Sequence, residues 1–196
     1  MATTRTKRAS GVGERSAQRT REALLSAGVA VAERDGLAGL SVNSVVAEAG
    51  VAKGTFYVHF ADRAAFVDAL HEGFHERVLR AVEEATADTS PGAERIWRGA
   101  EAYLDICLRE RAIKALALEA RTDAALTAKM SARHERFAAS AIPSIKAMGW
   151  SDAGTVAQLL AAMINEVAIR ELEAGRKVPA ARRSLRRFLG LPATGG

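Results

Sequence analysis

Several things this sequence lacks narrow what it can be. It has a single cysteine, Cys107, among 196 residues, which excludes an internal disulfide and suits a reducing cytoplasm. No apolar run reaches the roughly 18 residues of a membrane span, and the basic N-terminus has no apolar core of the kind a secretory signal needs. No nucleophile–base pairing stands out, and no glycine loop is placed to cradle phosphate, so no catalytic residue and no cofactor is expected. Internal repeats and strand-like alternation are largely missing as well.

Acidic charge is also short. Lys and Arg number 28 against 23 Asp and Glu, a formal net charge of +5, and the pI is near 9.8, a bias toward polyanionic partners. The excess is concentrated at the start: Arg5, Lys7, Arg8, Arg15, Arg19 and Arg21 face only Glu14 within residues 1–21. Residues 1–16 are expected to form a basic, mobile arm; a solvated terminus without function is the alternative.

What is abundant is helical periodicity. Val67, Leu70, Phe74, Val78, Ala81 and Val82 fall on one face, as do Ile96, Trp97, Ala100, Tyr103, Leu104, Cys107 and Leu108. Met130, His134, Phe137, Ala141 and Ile145 give a third stripe, and "VAQLLAAMINEVAIREL" gives the longest. Gly or Pro interrupts the pattern at 35–36, 90–92, 149–152 and 175–179. The expectation is an all-α chain of about nine helices, with Pro143 kinking or interrupting the seventh.

Residues 50–60, "GVAKGTFYVHF", break this regularity. Ser41 is a candidate N-cap for a short helix over 42–49. Gly50 and Val51 then form a tight turn, and a second short helix covers about 52–58. Two short helices across such a turn make a helix-turn-helix, whose second member enters a DNA major groove. Its outer face must then carry small or hydrogen-bonding residues, as Lys53, Gly54, Thr55, Tyr57 and His59 are. Gly54 costs about 1 kcal/mol of helix stability relative to Ala, which close approach to DNA would explain. Phe56 and Phe60 read as core residues.

The run from Arg19 to Leu70, centred on "SVNSVVAEAGVAKGTFYVHFADRAAF", resembles the DNA-binding domain of the TetR (tetracycline-repressor) family of bacterial transcription regulators. The resemblance implies a three-helix DNA-binding domain over 17–77, with its recognition unit at 41–60. An effector-binding and dimerisation domain would follow over 78–196. On this basis Asn43, Tyr57 and Arg63 are expected to hold phosphates, and Lys53, Thr55 and His59 to face the groove floor; for Tyr57 and His59, packing within the domain is the alternative. Ala52 stands where family members often have Ser, which would leave the recognition helix without a side-chain cap. Ser44 stands in place of a frequent acidic residue.

The last two helices carry the stripes of Val156, Leu160, Met163 and Val167 and of Leu185 and Phe188. Paired across a two-fold axis they would form a four-helix homodimer interface; burial within one chain is the alternative. A dimer would present two recognition helices to a palindromic double-stranded operator. The resemblance further implies a cavity for an unknown small-molecule effector, with candidate liners Trp97, Tyr103, Cys107, Met130, His134, Phe137, Met163 and Glu166. The expected function is a cytoplasmic, homodimeric repressor released from DNA by that effector. A DNA-binding regulator without an effector is the alternative. A remoter reading comes from "HEGFH" at 71–75, a literal match to the zinc-hydrolase pattern H-E-x-x-H. It lacks a recognisable third ligand, so no metal is expected, and His71 sits beside an apolar stripe where a core histidine belongs.

Overall fold

The computed structural model describes the backbone of residues 3–119 and 124–192 and, within them, the side chains of all but 3–12, 37, 116–119, 124–127 and 130. The described residues form ten helices and no strand. They are α1 (Thr3–Gly39), α2 (Val42–Ala49), α3 (Lys53–His59), α4 (Arg63–Thr86), α5 (Ala93–Arg109), α6 (Arg111–Glu119), α7 (Ala124–Ala139), α8 (Ile142–Ala147), α9 (Ala153–Ala174) and α10 (Pro179–Phe188). The tenth arises where the sequence places an interruption. Pro143 sits in the first turn of α8, where its missing N–H costs no helical hydrogen bond, so the expected seventh helix is two. α1 is continuous across residues 16 and 17, the expected end of the arm, and non-helical only at Gly36, with φ 66°.

The chain divides into two compact units, one ending at Glu72 and one starting at Gly73. In the first, α1 and α2 pack together and α2 abuts α3. Leu24, Val31, Leu40, Val45, Phe56, Phe60 and Phe66 fill the core. Phe56, Phe60 and Phe66 form a mutual cluster with ring centroids 4.9 to 5.4 Å apart, within the range where aromatic pairs attract beyond simple burial. Gly28 of α1 is required by this core, since a Cβ there would lie 2.5 Å from the Phe66 ring.

In the second unit α9 is the central element and packs on α5, α7, α8 and α10. The stripe of α5 is buried as expected at Ile96, Trp97, Ala100, Tyr103, Leu104 and Cys107. An ion cluster fastens α10. Arg182 donates from Nε and Nη2 to the two carboxylate oxygens of buried Glu171, each at 2.7 Å. Its Nη1 lies 2.7 Å from Asp105, which Lys177 also meets at 2.9 Å, and the Val178 N–H donates to Glu171 at 2.9 Å. Burial alone would raise the Glu171 and Asp105 carboxyls, but these donors outweigh it and both lie below their ordinary values. Arg182 is therefore a buried structural residue.

Candidate nucleic-acid interface

α2 and α3 are short, so their ends must be fixed by capping and packing. At α2, Ser41 Oγ accepts from the Ser44 N–H at 3.1 Å, and Ser44 Oγ accepts from the Ser41 N–H at 2.9 Å. This is a capping box in which Ser44 takes the place usually held by Glu or Gln. Gly50 ends α2 in the left-handed region at φ 65°, a conformation glycine adopts without a Cβ penalty. α3 begins after Ala52, which offers no side-chain cap. Its inward anchor is Phe56, fully buried.

The outer surface of this unit then follows from helix geometry. Lys53 and Gly54 are exposed, Thr55 and His59 are half-buried, and Tyr57 is 50% exposed with its ring edge-on to Phe56 at 5.5 Å. Asn43 is exposed in the first turn of α2. Arg63, the first residue of α4, donates from Nε to the Leu40 carbonyl at 2.6 Å, so part of this guanidinium fixes the end of α1. Asp62 caps α4 by accepting from the Ala65 N–H at 2.8 Å. Val58, 79% exposed, has no counterpart among the residues expected to meet DNA, because an exposed apolar side chain carries no sequence pattern of its own.

Residues 24–70 match the family of bacterial regulatory proteins of the tetR family. Over this stretch, about a quarter of the chain, it carries a TetR-type DNA-binding domain. It is thus a DNA-binding transcriptional regulator. The fold is similar to that of a transcriptional regulator from Rhodococcus sp. Rha1 at 21% identity and TM-score 0.76, over 87% of this chain and 94% of that one. A TetR-like transcriptional regulator from Rhodococcus sp. RHA1 aligns at 18% identity and TM-score 0.72, over 87% and 93%. The multidrug binding protein EbrR, complexed with imidazole, aligns at 26% identity and TM-score 0.69, over 89% and 97%. No curated protein matches the chain at a significant level.

In the second unit a cleft of about 140 Å³ lies among α4, α5, α7, α8 and α9, with Val82, Ile96, Ala100, Phe137, Leu160 and Ile164 in its wall. Of the expected effector liners, Phe137 lies in this wall, and His134 borders a shallower depression beside Gln158 and Asn165. Tyr103 stacks on Phe137 at 5.4 Å, and its hydroxyl accepts from Lys114 Nζ at 2.8 Å. Burial, with Cys107 adjacent, holds the Tyr103 hydroxyl well above its ordinary pKa. Trp97, Cys107 and Met163 belong to neither lining, and the Met130 side chain lies outside the described residues. Glu166 borders neither: it is exposed on α9 and pairs with Arg170 at 2.8 Å one turn on.

The expected dimer stripe divides between the core and the surface of the single chain. Leu160, Val167 and Leu185 are buried by their own chain. The apolar surface of the last two helices consists instead of Leu159, 62% exposed, and Phe188, 76% exposed, flanked by half-buried Val156 and Met163. His71 and His75 are both buried on α4, and His75 packs edge-on to His134 at 5.5 Å. Among the described residues no group of three or more His, Cys, Asp or Glu could hold a metal ion, and no helix is long and apolar enough to cross a membrane.

Proposed function

We propose that this chain is a homodimeric repressor that holds a palindromic operator through α2 and α3 and is released by a small-molecule effector bound in its second unit. The observation that carries the reading is the exposed side of α3, where Gly54 leaves the surface low and Thr55 and Tyr57 flank it with hydrogen-bonding groups, while Phe56 is fully buried. A recognition helix needs that division: an apolar anchor inward, and nothing bulky outward that would hold it off the bases. In this reading residues 17–77 serve DNA and 78–196 serve effector binding and dimerisation. Asn43, Tyr57 and Arg63 meet phosphates, Thr55 meets bases, and Lys53 and His59 stand at the flanks of α3, within reach of a phosphate or a base edge.

The dimer is supported by the exposed Leu159 and Phe188 on α9 and α10, side chains that gain about 1.5–3 kcal/mol each when fully covered. The effector is supported by the cleft among α4, α5, α7, α8 and α9, apolar with a few polar groups at its edge. It is also supported by the likeness to a protein described as multidrug binding. An effector of the cleft acts only by binding the DNA-free arrangement more tightly than the DNA-bound one.

Selection of duplexes from a random pool by the full-length protein tests the reading. An enriched inverted repeat is expected, bound by two chains. A single asymmetric site, or no enrichment, contradicts it. A Leu159→Glu, Phe188→Glu variant should remain folded and elute as a monomer, because these side chains lie outside the core of the single chain.

A further inference from the structure

We infer that Val58 is a specificity-determining residue that reads the C5-methyl groups of thymine on the floor of the major groove. The inference rests on the reading of α3 as the helix that enters DNA. A single exposed valine is ordinary on any surface; the place of this one is not. At about 100° per residue, Gly54 and Val58 each stand about 160° from Phe56, which is fully buried and marks the inward direction. Thr55 and Tyr57 stand about 100° from it, and Lys53 and His59 about 60°. Gly54 and Val58 therefore form the crest of the helix, and the polar side chains form its slopes.

The crest offers no side-chain donor, acceptor or charge. The apolar feature that base pairs expose in the major groove is the thymine methyl, which separates thymine from cytosine and from uracil. Val58, 79% exposed, carries the two methyls that can pack on it. Gly54 supports the same conclusion. Apart from its chain neighbours and its own helix backbone, a Cβ built there meets nothing within 4 Å, so packing inside the protein does not call for a residue that helices disfavour. Its missing side chain lowers the crest one turn before Val58, which lets the helix axis approach the base pairs and brings the valine methyls within reach of the groove floor.

The test uses the full-length protein and the duplex it selects from a random pool, with each thymine of one half-site replaced in turn by deoxyuridine. This removes one methyl and leaves every hydrogen-bonding group in place. Fluorescence anisotropy should show one or two positions at which wild-type affinity falls about fourfold, the effect of exposing one methyl-sized apolar group. Val58→Ala, which changes an exposed position and leaves the fold intact, should bind the unmodified duplex more weakly and be insensitive to uracil at those same positions. Gly54→Ala should melt at a higher temperature than wild type yet bind the duplex more weakly. Wild type indifferent to uracil everywhere, or Val58→Ala showing the same uracil losses, overturns the inference while the DNA-binding reading stands. A pool from which nothing is enriched removes both.

Discussion

The two units of this chain place their polar groups in opposite ways. In the unit ending at Glu72, the one buried polar side chain among the described residues is His71; the remaining core is apolar and aromatic, and the chemistry projects outward from α2 and α3. In the unit starting at Gly73, Thr86, Lys114, Arg133, Ser144, Glu171 and Arg182 are all buried. A dry core with polar residues outside suits a domain that meets a polyanion at its surface. Polar groups turned inward suit a domain whose specificity lies in its interior, since buried polar groups are costly unless their partners are in place.

Breaking each core should reveal this difference. Phe56→Ala removes the anchor of α3 and should cost about 4 kcal/mol, the middle of the range for a large-to-small aromatic substitution, read by chemical denaturation with a tryptophan-independent probe such as far-ultraviolet circular dichroism. Arg182→Ala leaves Glu171 buried without its main partner and should cost about 3 kcal/mol. Glu171→Leu combined with Arg182→Met should recover most of that loss, as apolar replacement of a buried ion pair commonly does.

The same pair sets a dependence on pH with a definite sign. Glu171 and Asp105 lie below their ordinary values in the folded chain. Their contribution is therefore full above the unfolded carboxylate range near about 4 and is lost as pH falls through the lower folded values. The melting temperature should hold its carboxylate contribution between about pH 7 and 5 and lose it below about 4. In Arg182→Ala burial governs Glu171 and raises it, so the deficit of that variant should shrink toward acid.

Smaller effects sharpen the description of the first unit. Gly28→Ala places a methyl against the Phe66 ring and should cost about 2 kcal/mol by overpacking, visible as a lower denaturation midpoint. Ala52→Ser supplies the cap that α3 lacks and should stabilise the protein by about 1 kcal/mol. An unchanged midpoint for Ala52→Ser would mean that the first amides of α3 are already satisfied by other groups.

The contrast between the units also explains what was legible in the sequence. Ser41, Gly50, Phe56 and Phe60 could be placed because caps, turns and core residues of short helices are set by neighbours a few positions away, and all four occupy the expected roles. The break at Pro143 followed from the missing N–H alone. In the second unit the apolar stripe of α5 was legible, but which side of α9 faces outward was not. Leu159 and Leu160 are adjacent and equally apolar, and only the packing of α5, α7 and α8 on α9 buries one and exposes the other. Arg182 was hidden for a related reason: its partners Glu171 and Asp105 come from two other helices, a proximity that no spacing along the chain encodes. Phe137 reached the cleft and Glu166 did not, again according to how α7 and α9 are turned.

Whether the outer face of α3 touches DNA can be read from Lys53 and Tyr57, because both are exposed and can be changed without disturbing the core. The measurement is the affinity of Lys53→Ala, Tyr57→Phe protein for the selected duplex and for a scrambled one, by anisotropy across a salt series beside wild type. The expected result is an unchanged melting temperature, weaker binding to the selected duplex, and a log–log salt slope reduced by about 1 for each phosphate that a protomer no longer neutralises. Isotherms that superpose on those of the wild type at every salt concentration, with the protein folded, would mean that α3 does not meet DNA.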